Sequence, residues 1–419
     1  MSDATIQSRE ALISRLAEVA EIEHGITCQY LYAAFSLKTH VEEGGLDWVQ
    51  AERVRGWKAE LLRIARQEMA HHGMVCNLLV TIGGAPRFGH VAFPYPVSAC
   101  PPYLTFELQP FSRAALERFA CYERLHADGA DAGGTDASLT IGGRYREIRR
   151  GLMHVAGSNP KLFIGPGEHQ IGNPELRIRP GQFDIELARV SDLRSALALI
   201  DRLLAHDHHQ RFTDMLSELA ALAQADPGFS PARPVAVNPR LQPAGTADTA
   251  GTASTVVGHP ITRAAAGIFD GAYELMLLLL TRIYGRTDET AAEVQGLIAT
   301  AFFPLMTAVI RPLGECLTRM PVAEGADTAA GPCFGLPFDL PLPSFKRSAW
   351  VFVHEQLQAL AGACERMCAD IDDSQERWTG HVGPRLTLLS ENLSGIAAGF
   401  ERRMGLKQIY ARHMLSRII

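Results

Sequence analysis

The sequence predicts an all-α protein in which a four-helix bundle is followed by a second helical bundle. Three observations lead to this prediction. Apolar residues recur at spacings of three and four along most of the chain, strand-like alternation is scarce, and residues 224–259 are rich in Ala, Thr, Gly and Pro. The predicted organisation is therefore a first bundle over residues 1–223, a linker over 224–259 and a second bundle over 260–419.

The first two predicted helices have long apolar stripes that ionisable residues interrupt. The first runs from Ser8 to Glu43 and the second from Trp48 to Ile82, and each is followed by paired glycines, which are typical of helix ends. Glu23 interrupts the first stripe, and Glu68 and His71 interrupt the second. The stripes are Leu12, Leu16, Val19, Ile26, Tyr30, Ala33 and Leu37, then Val54, Trp57, Leu61, Ile64, Val75, Leu78 and Ile82.

Further helices complete both bundles. A third helix, which Ser112 can cap, carries Glu123 on its apolar face, and a Gly-rich loop is expected over 128–138. A fourth helix is predicted over 191–222, with His208 in its apolar stripe. The second bundle is predicted to contain helices at 261–284, 290–320, 345–371 and 386–404.

Composition excludes several classes of protein. Hydrophobic residues make up 47% and charged residues 21%, and the net charge of -6 argues against a nucleic-acid partner. The polar N-terminus shows no signal peptide, and the longest apolar run, Leu275 to Leu280, is too short to span a membrane. Eight cysteines without a Cys-x-x-Cys pair are typical of reduced thiols. We expect a cytoplasmic protein.

The Glu68-Met69-Ala70-His71 step is the strongest chemical signal. Residues three apart share a helix face, so a carboxylate and an imidazole point the same way. Carboxylates are rarely buried unless they are paired or bind metal. Di-iron and di-manganese bundles combine such Glu-x-x-His pairs with single carboxylates from other helices. The alternative is a rotated helix in which Glu68 pairs with Arg66 or Lys58 at the surface. The candidate ligands are Glu23, Glu68, His71, Glu123 and His208.

The fourth helix departs from this pattern. The position three residues before His208 is Ala205 rather than a glutamate, so the ligand set lacks one carboxylate. The site could therefore be mononuclear, asymmetric or degenerate. His209 takes the place of His208 if the helix is rotated by one residue. Substitutes for the missing ligand are Asp201, His206 and Asp207.

Distinctive segments occur in both halves of the chain. They are Glu23-His24 with Gln29 to Ala33, Ala65 to His71 with Ile82 to Pro86, Leu108 to Ser112, His208 to Phe212, Phe269 to Gly271, and Phe303 to Met306. Together they resemble the ferritin-like domain family that includes the iminophenyl-pyruvate dimer synthase of the violacein pathway. The resemblance covers nearly the whole chain, and its second-helix segment is the most specific part.

The resemblance implies a ferritin-like fold and a role in secondary metabolism. The family's ligand pattern carries over to Glu23, Glu68, His71 and Glu123, and the His-x-x-Arg-Phe segment favours His208. The family's Gln-Gly-Glu-Gly segment is absent, which puts the last carboxylate ligand in doubt. The dimer synthase is also much longer, with an extra region associated with haem-dependent coupling, so the coupling reaction is not transferred to this chain.

The functional expectation is an enzyme. We expect a non-haem oxidase or oxygenase that binds two iron ions, with manganese as the other metal, and uses O2 on a small amino-acid-derived substrate. Tyr30, Tyr32 and Phe119 are expected near the site, and no catalytic residue is assigned. A homodimer without nucleic-acid or membrane partners is expected. The alternative is a ferritin-like scaffold or partner protein whose metal site is degenerate.

Overall fold

The structure is a computed structural model that is mostly helical, which confirms the predicted fold class. The described part of the chain contains four strands of two residues each, which form two separate pairs. The residues described are 6–86, 88, 93–96, 105–123, 141–176, 187–205, 208–242, 254–285, 288–337, 341–374, 376 and 378–407.

The chain divides into two compact units. The first contains Met1–Asn173 and Ile178–Asn238, and the second contains Pro174–Arg177 and Pro239–Ile419. The predicted linker over 224–259 remains a prediction, because residues 243–253 lie outside the described part of the chain. The loop predicted over 128–138 also lies outside it.

The first unit is built on two long helices that pack along each other, α1 and α2. Ser8 caps α1 by accepting from the Ala11 amide at 3.1 Å. Asp47 and Gln50 form a reciprocal capping box at the start of α2. The elements of this part are α1 (Arg9–Ser36), a 3-10 turn (Val41–Glu43), α2 (Trp48–Thr81), β1 (Tyr95–Pro96), β2 (Thr105–Phe106), α3 (Arg113–Glu123), α4 (Ile141–Ser158), a 3-10 turn (Gly167–His169), α5 (Asn173–Leu176), α6 (Leu193–Ala205) and α7 (His209–Ala225). The β1 and β2 strands are antiparallel, with Tyr95 opposite Phe106.

Helix α1 ends at Ser36, seven residues before the predicted end at Glu43. The Ser36 carbonyl accepts from the Arg233 amide at 2.9 Å, and the Lys38 amide donates to the Pro231 carbonyl at 2.9 Å. A segment remote in sequence therefore provides the hydrogen bonds that a further helical turn would have made.

The predicted fourth helix is two helices rather than one. Helix α6 ends at Ala205 and α7 begins at His209, while residues 206 and 207 lie outside the described part of the chain. The Phe212 amide donates to the His208 carbonyl at 3.2 Å, which starts the new helix. No glycine or proline marks this interruption, so apolar periodicity alone predicted a continuous helix.

The second unit contains the remaining helices, one of which is irregular. Two π-helical segments, Ile298–Phe302 and Leu305–Ile310, flank Pro304 within the predicted 290–320 helix. Strands β3 and β4 form a short parallel pair. The elements are β3 (Pro239–Arg240), β4 (Thr255–Val256), α8 (Pro260–Tyr284), α9 (Ala291–Leu297), the two π-helical segments, α10 (Arg311–Leu317), α11 (Lys346–Asp372) and α12 (Thr379–Met404).

Two helical stretches of the second unit are long and apolar enough to cross a membrane by length and composition. They are Pro260–Tyr284 and Ala291–Leu317, whose most apolar windows are 67% and 50% buried. Core helices of soluble proteins meet the same criterion, so this observation is weak evidence for a membrane association.

A buried ion pair stabilises the second unit. The Arg282 guanidinium donates to the Glu289 carboxylate, and both side chains are nearly inaccessible. Replacing Glu289 by alanine is expected to lower the free energy of unfolding by about 3–5 kcal/mol, because it leaves a buried guanidinium without its carboxylate. Asp288, half exposed at 3.8 Å from Arg282, is the matched control. Its alanine variant should lose less than about 1 kcal/mol. Equal losses in chemical denaturation of the two variants would contradict the prediction.

Candidate metal centre

Three ionisable side chains meet between α1 and α2. Glu23, Glu68 and His71 are only 2%, 4% and 5% exposed. Each offers one ligand atom, and these atoms lie within 4.8 Å of one another. The two helices pack side by side with their interrupted stripes facing each other, which brings the three residues together. Two carboxylates and an imidazole form a donor set that suits iron or manganese.

His208 adds a second imidazole to this cluster. Its Nε2 atom lies 3.2 Å from Glu68 Oε1, and His71 Nδ1 lies 3.0 Å from Glu68 Oε2. The His208 contact does not have hydrogen-bond geometry, so Nε2 is a buried nitrogen without a hydrogen bond among the described residues. Buried nitrogens without a hydrogen bond are rare in folded proteins, and a cation between His208 and Glu68 is one arrangement that would satisfy both groups. The residues present therefore fit a metal ion.

Two tyrosines hold the carboxylates of the centre. Tyr145, on α4, donates its hydroxyl hydrogen bond to Glu23 Oε1. Tyr30, on α1, donates to Glu123 Oε1 at 2.7 Å. Burial, together with the nearby carboxylates, raises the pKa of both phenols well above the usual value, so both remain protonated donors.

The pKa values of the two carboxyl groups in the cluster, Glu23 and Glu68, are shifted in opposite directions. Burial, and then the neighbouring Glu68 carboxylate, raises the pKa of Glu23 well above its usual value. Burial alone would raise the pKa of Glu68, but His71 and His208 outweigh it and lower that pKa well below the usual value. Burial likewise opposes the charged form of His208, but Glu68 raises its pKa. Burial and the neighbouring charges therefore favour the neutral form of Glu23 and the ionised form of Glu68.

Glu123 lies beside the cluster. Its side chain is 3% exposed and its charge acts on both Glu23 and His208. It does not belong to the group of three ligand atoms that lie within 4.8 Å. Glu123 is therefore an adjacent carboxylate, which Tyr30 anchors.

The structure does not bring Asp201 into the centre. Its side chain is 55% exposed, and Oδ1 accepts from Arg149 Nε at 2.7 Å. His209 points elsewhere as well, with Nδ1 2.9 Å from the Ala120 carbonyl. His206 and Asp207 lie outside the described residues. Asp201 faces solvent because the opposite face of α6 is buried, with Ala196, Leu199, Ile200 and Leu203.

Aromatic side chains cover the side of the centre next to Glu123. The ring of Tyr30 lies 4.7 Å from that of Phe119 and 5.1 Å from that of Phe212. Phe119 and Phe212 are themselves 5.5 Å apart. Tyr32 is also buried, but its hydroxyl donates to the Ala236 carbonyl instead. Of the three aromatics expected near the site, Tyr30 and Phe119 therefore lie beside it.

Two further histidines flank the ligands without belonging to the cluster. The rings of His24 and His72 stack with their centroids 5.6 Å apart. Burial lowers the pKa of His24 to about 4, and burial together with His24 lowers the pKa of His72 to about 3. Both imidazoles are therefore neutral near pH 7, and they pack beside Glu23 and His71.

Sequence reasoning missed the role of Tyr145. No local pattern indicates its contact with Glu23, which lies 122 residues away in the sequence. Tyr30 carried a weak signal, because it lies seven residues after Glu23 on the same face of α1.

Part of the chain matches a known family model, and two curated proteins are similar to most of the chain. A family model described as ferritin-like matches residues 16–206. The 2-imino-3-(indol-3-yl)propanoate dimerase of Chromobacterium violaceum is 28% identical over 411 residues, which cover 90% of this chain and 38% of the relative. The dichlorochromopyrrolate synthase of Lentzea aerocolonigenes is 28% identical over 421 residues, which cover 87% of this chain and 40% of the relative.

A solved structure is also similar. A ferritin-like protein from Caulobacter vibrioides matches with 19% identity and a TM-score of 0.39, covering 70% of this chain and 94% of that chain. The chain spans only about two fifths of the length of the two curated relatives. The family model nevertheless covers most of α1, all of α2 and the ligands that these helices carry. The ferritin-like family model therefore matches the part of the chain that carries Glu23, Glu68, His71 and Glu123.

Proposed function

We propose that the chain is an O2-dependent, non-haem iron oxidoreductase that acts on a small amino-acid-derived substrate in secondary metabolism. The observation that supports this function best is the position of Glu68 between two buried imidazoles, with Glu23 alongside. An ordinary buried ion pair needs one partner, whereas this carboxylate has an imidazole nitrogen within 3.2 Å on each of two histidines, and His208 Nε2 makes no hydrogen bond among the described residues.

The metal would be held by Glu23, Glu68, His71 and His208, with Glu123 as the adjacent carboxylate. Two iron ions are proposed, with manganese as the other metal that these donors suit. When bound, ferrous iron supplies the electrons that dioxygen needs and an open position for it. A cation held beside Glu68 would favour the ionised form of Glu23, which could then serve as a ligand.

The surrounding residues prepare the site for this chemistry. Tyr145 and Tyr30 orient the Glu23 and Glu123 carboxylates through donated hydrogen bonds. The rings of Phe119 and Phe212 exclude water from the Glu123 side, which strengthens the interaction between the carboxylates and a cation. The protein thus supplies a dry site whose ligands are already oriented.

The relatives support the substrate class. One is named for an imino acid that bears an indole, and the other for dichlorochromopyrrolate. Because the chain spans about two fifths of these relatives, we propose only a substrate of this class and not their complete reactions. We also place the protein in the cytoplasm, since the described cysteines are all free thiols.

A second candidate function is a ferritin-like scaffold with a degenerate site. The observation that favours it is the lack of a carboxylate from α6 in the cluster, where Ala205 ends the helix and Asp201 faces solvent. This reading predicts that the purified chain binds no stoichiometric metal and acts by holding a partner enzyme.

Anaerobic reconstitution with ferrous iron separates the two functions. The bound metal is measured by mass spectrometry after desalting, and oxygen consumption is then followed with and without aromatic amino acids. About two irons per chain and oxygen uptake would support the oxidoreductase. Absence of stoichiometric metal would rule it out in favour of the scaffold.

Replacing Tyr145 by phenylalanine is expected to weaken metal binding without unfolding the first unit. The change removes the donor to Glu23, and a hydrogen bond to a charged group contributes about 1.5–3 kcal/mol, or roughly 10- to 100-fold in affinity. Competition with a chelator measures the change. Tyr32→Phe is the matched control, because its hydroxyl donates to the Ala236 carbonyl instead. An affinity equal to that of the control would exclude the proposed role of Tyr145.

A further inference from the structure

We propose that Cys364 and Cys368, on α11 of the second unit, form a binding site for a soft monovalent cation, Cu(I). The two residues are four apart in one helix, so their side chains lie on the same face, one turn from each other. Both are free thiols; Cys364 is buried and Cys368 is partly exposed. One sulfur is therefore enclosed by protein while the other is within reach of solvent. The proposal does not depend on the metal centre of the first unit.

The two sulfurs are in contact with each other and with α12. The thiols of Cys364 and Cys368 share a hydrogen bond, and each also accepts one from a hydroxyl group, Ser390 for Cys364 and Thr387 for Cys368. The Cys364 thiol donates to the Leu386 carbonyl, with sulfur and oxygen 3.7 Å apart. Helix α12 therefore holds both thiols in place, and a metal ion would find its sulfur ligands already oriented.

The spacing of the pair suits a bridging ion better than a disulfide. Side chains four apart on a helix have Cβ atoms about 5–6 Å from each other. A disulfide needs about 3.5–4.5 Å between the same atoms, so it would distort α11. Metal–thiolate bonds are about 2.3 Å long, so an ion between the two sulfurs accommodates a separation of up to about 4.6 Å.

The number of donors selects the metal. In the part of the chain that the structure describes, the group of three metal-ligating side chains within 4.8 Å is the Glu23 cluster of the first unit, so the thiol pair has no third such ligand. Zinc takes four ligands in structural sites, whereas Cu(I) is a soft ion that two thiolates satisfy. On binding, both S–H protons pass to solvent and two copper–sulfur bonds form. Copper stays monovalent, so no electron is transferred.

The charges near the pair also favour a cation. Burial is the main reason that the pKa of both thiols is raised, to about 12 for Cys364. The Glu365 carboxylate raises both pKa values further, and Asp372 raises that of Cys368. A carboxylate that disfavours a nearby thiolate attracts a nearby cation through the same interaction. The two α12 hydroxyls act in the opposite direction on the pKa values, since they donate to the sulfurs and would stabilise them as thiolates once copper is bound.

Anaerobic titration of the reduced, full-length chain with Cu(I), in competition with a coloured Cu(I) chelator, tests the proposal. The wild type should take about one copper ion per chain and show ultraviolet sulfur-to-copper charge transfer, which oxygen and nitrogen ligands do not give. Cys364→Ser and Cys368→Ser should each lower the affinity by at least about 100-fold, because losing a ligand costs more than losing an outer partner. Cys316→Ser replaces a buried cysteine that has no second cysteine on its helix, α10, and should bind copper like the wild type.

Two results of the titration would overturn the proposal. One is a wild-type chain that fails to compete with the chelator, and the other is a folded Cys368→Ser variant that binds copper as tightly as the wild type. Circular dichroism melts establish the folding of each variant, and the partly exposed position of Cys368 makes its substitution the milder one.

Alkylation mapped by mass spectrometry tests the site without any substitution. Copper should protect Cys368 from the reagent and leave the reactivity of Cys121, a partly exposed cysteine of the first unit, unchanged. Equal protection of the two cysteines would mean that copper binds accessible thiols without selectivity, which would also overturn the proposal.

Discussion

Replacing Glu68 by alanine is expected to abolish metal binding while the chain stays folded. Glu68 contacts His71 at 3.0 Å and His208 at 3.2 Å, and it lies in the same cluster as Glu23. Its removal takes away the anionic ligand between the two imidazoles. No carboxylate then contacts both His71 and His208, so we expect the metal content to fall to less than about one tenth of the wild-type value.

The measurement combines metal analysis with chemical denaturation of the metal-free protein. Asp201→Ala is the matched control, because Asp201 is exposed and paired with Arg149, and its metal content should equal that of wild type. A structural role for Glu68 predicts a different result. In that case Glu68→Ala would lower the free energy of unfolding by about 3–5 kcal/mol and leave metal content at the wild-type level.

Replacing Asp270 by asparagine is expected to stabilise the second unit at alkaline pH. Asp270 is 3% exposed on α8 and accepts from the Gly335 amide at 3.0 Å. Burial, with Glu274 one turn away, raises its pKa from 3.8 to about 7. The unfolded chain ionises this carboxyl near pH 3.8 and the folded chain near pH 7. Stability is therefore lost as pH rises through this window, and the loss is complete above about pH 7.

Asparagine removes this loss and keeps the acceptor for Gly335. At about 1.4 kcal/mol per pH unit between the two pKa values, the variant should gain about 4 kcal/mol at pH 8. The gain should disappear near pH 4, where the wild-type carboxyl is neutral in both states. Urea denaturation at the two pH values measures it, with the exposed Glu391→Gln as control. A gain that is the same at both pH values would contradict the assigned ionisation of Asp270.

Local patterns predicted much of the helical framework. Ser112 accepts from the Ala115 amide at 3.1 Å, as the capping prediction required. Gly83 adopts a φ of 82° immediately after α2, which is the left-handed conformation expected of a glycine that ends a helix. These features depend on residues within one or two turns of each other, so the sequence contains the relevant information directly.

The candidate ligands of α1 and α2 were also predicted from local sequence patterns. Glu23, Glu68 and His71 interrupt apolar stripes, and two helices that bury those stripes against each other bring the interruptions together. The alternative of a surface-facing Glu68 does not agree with its exposure of 4%. Periodicity thus predicted burial, although metal binding itself awaits the reconstitution experiment.

The sequence by itself determined the helical class, the starts of most of the long helices and the ionisable residues that point into the first bundle. The exception is α12, which begins at Thr379, seven residues before its predicted start. Only the tertiary structure decided that α1 stops at Ser36, that a new helix starts directly after His208, that Asp201 faces solvent and that Tyr145 reaches Glu23. The reason is physical. Caps and apolar stripes arise from neighbours a few residues apart, whereas these four features depend on hydrogen bonds and packing between segments that are distant in the chain.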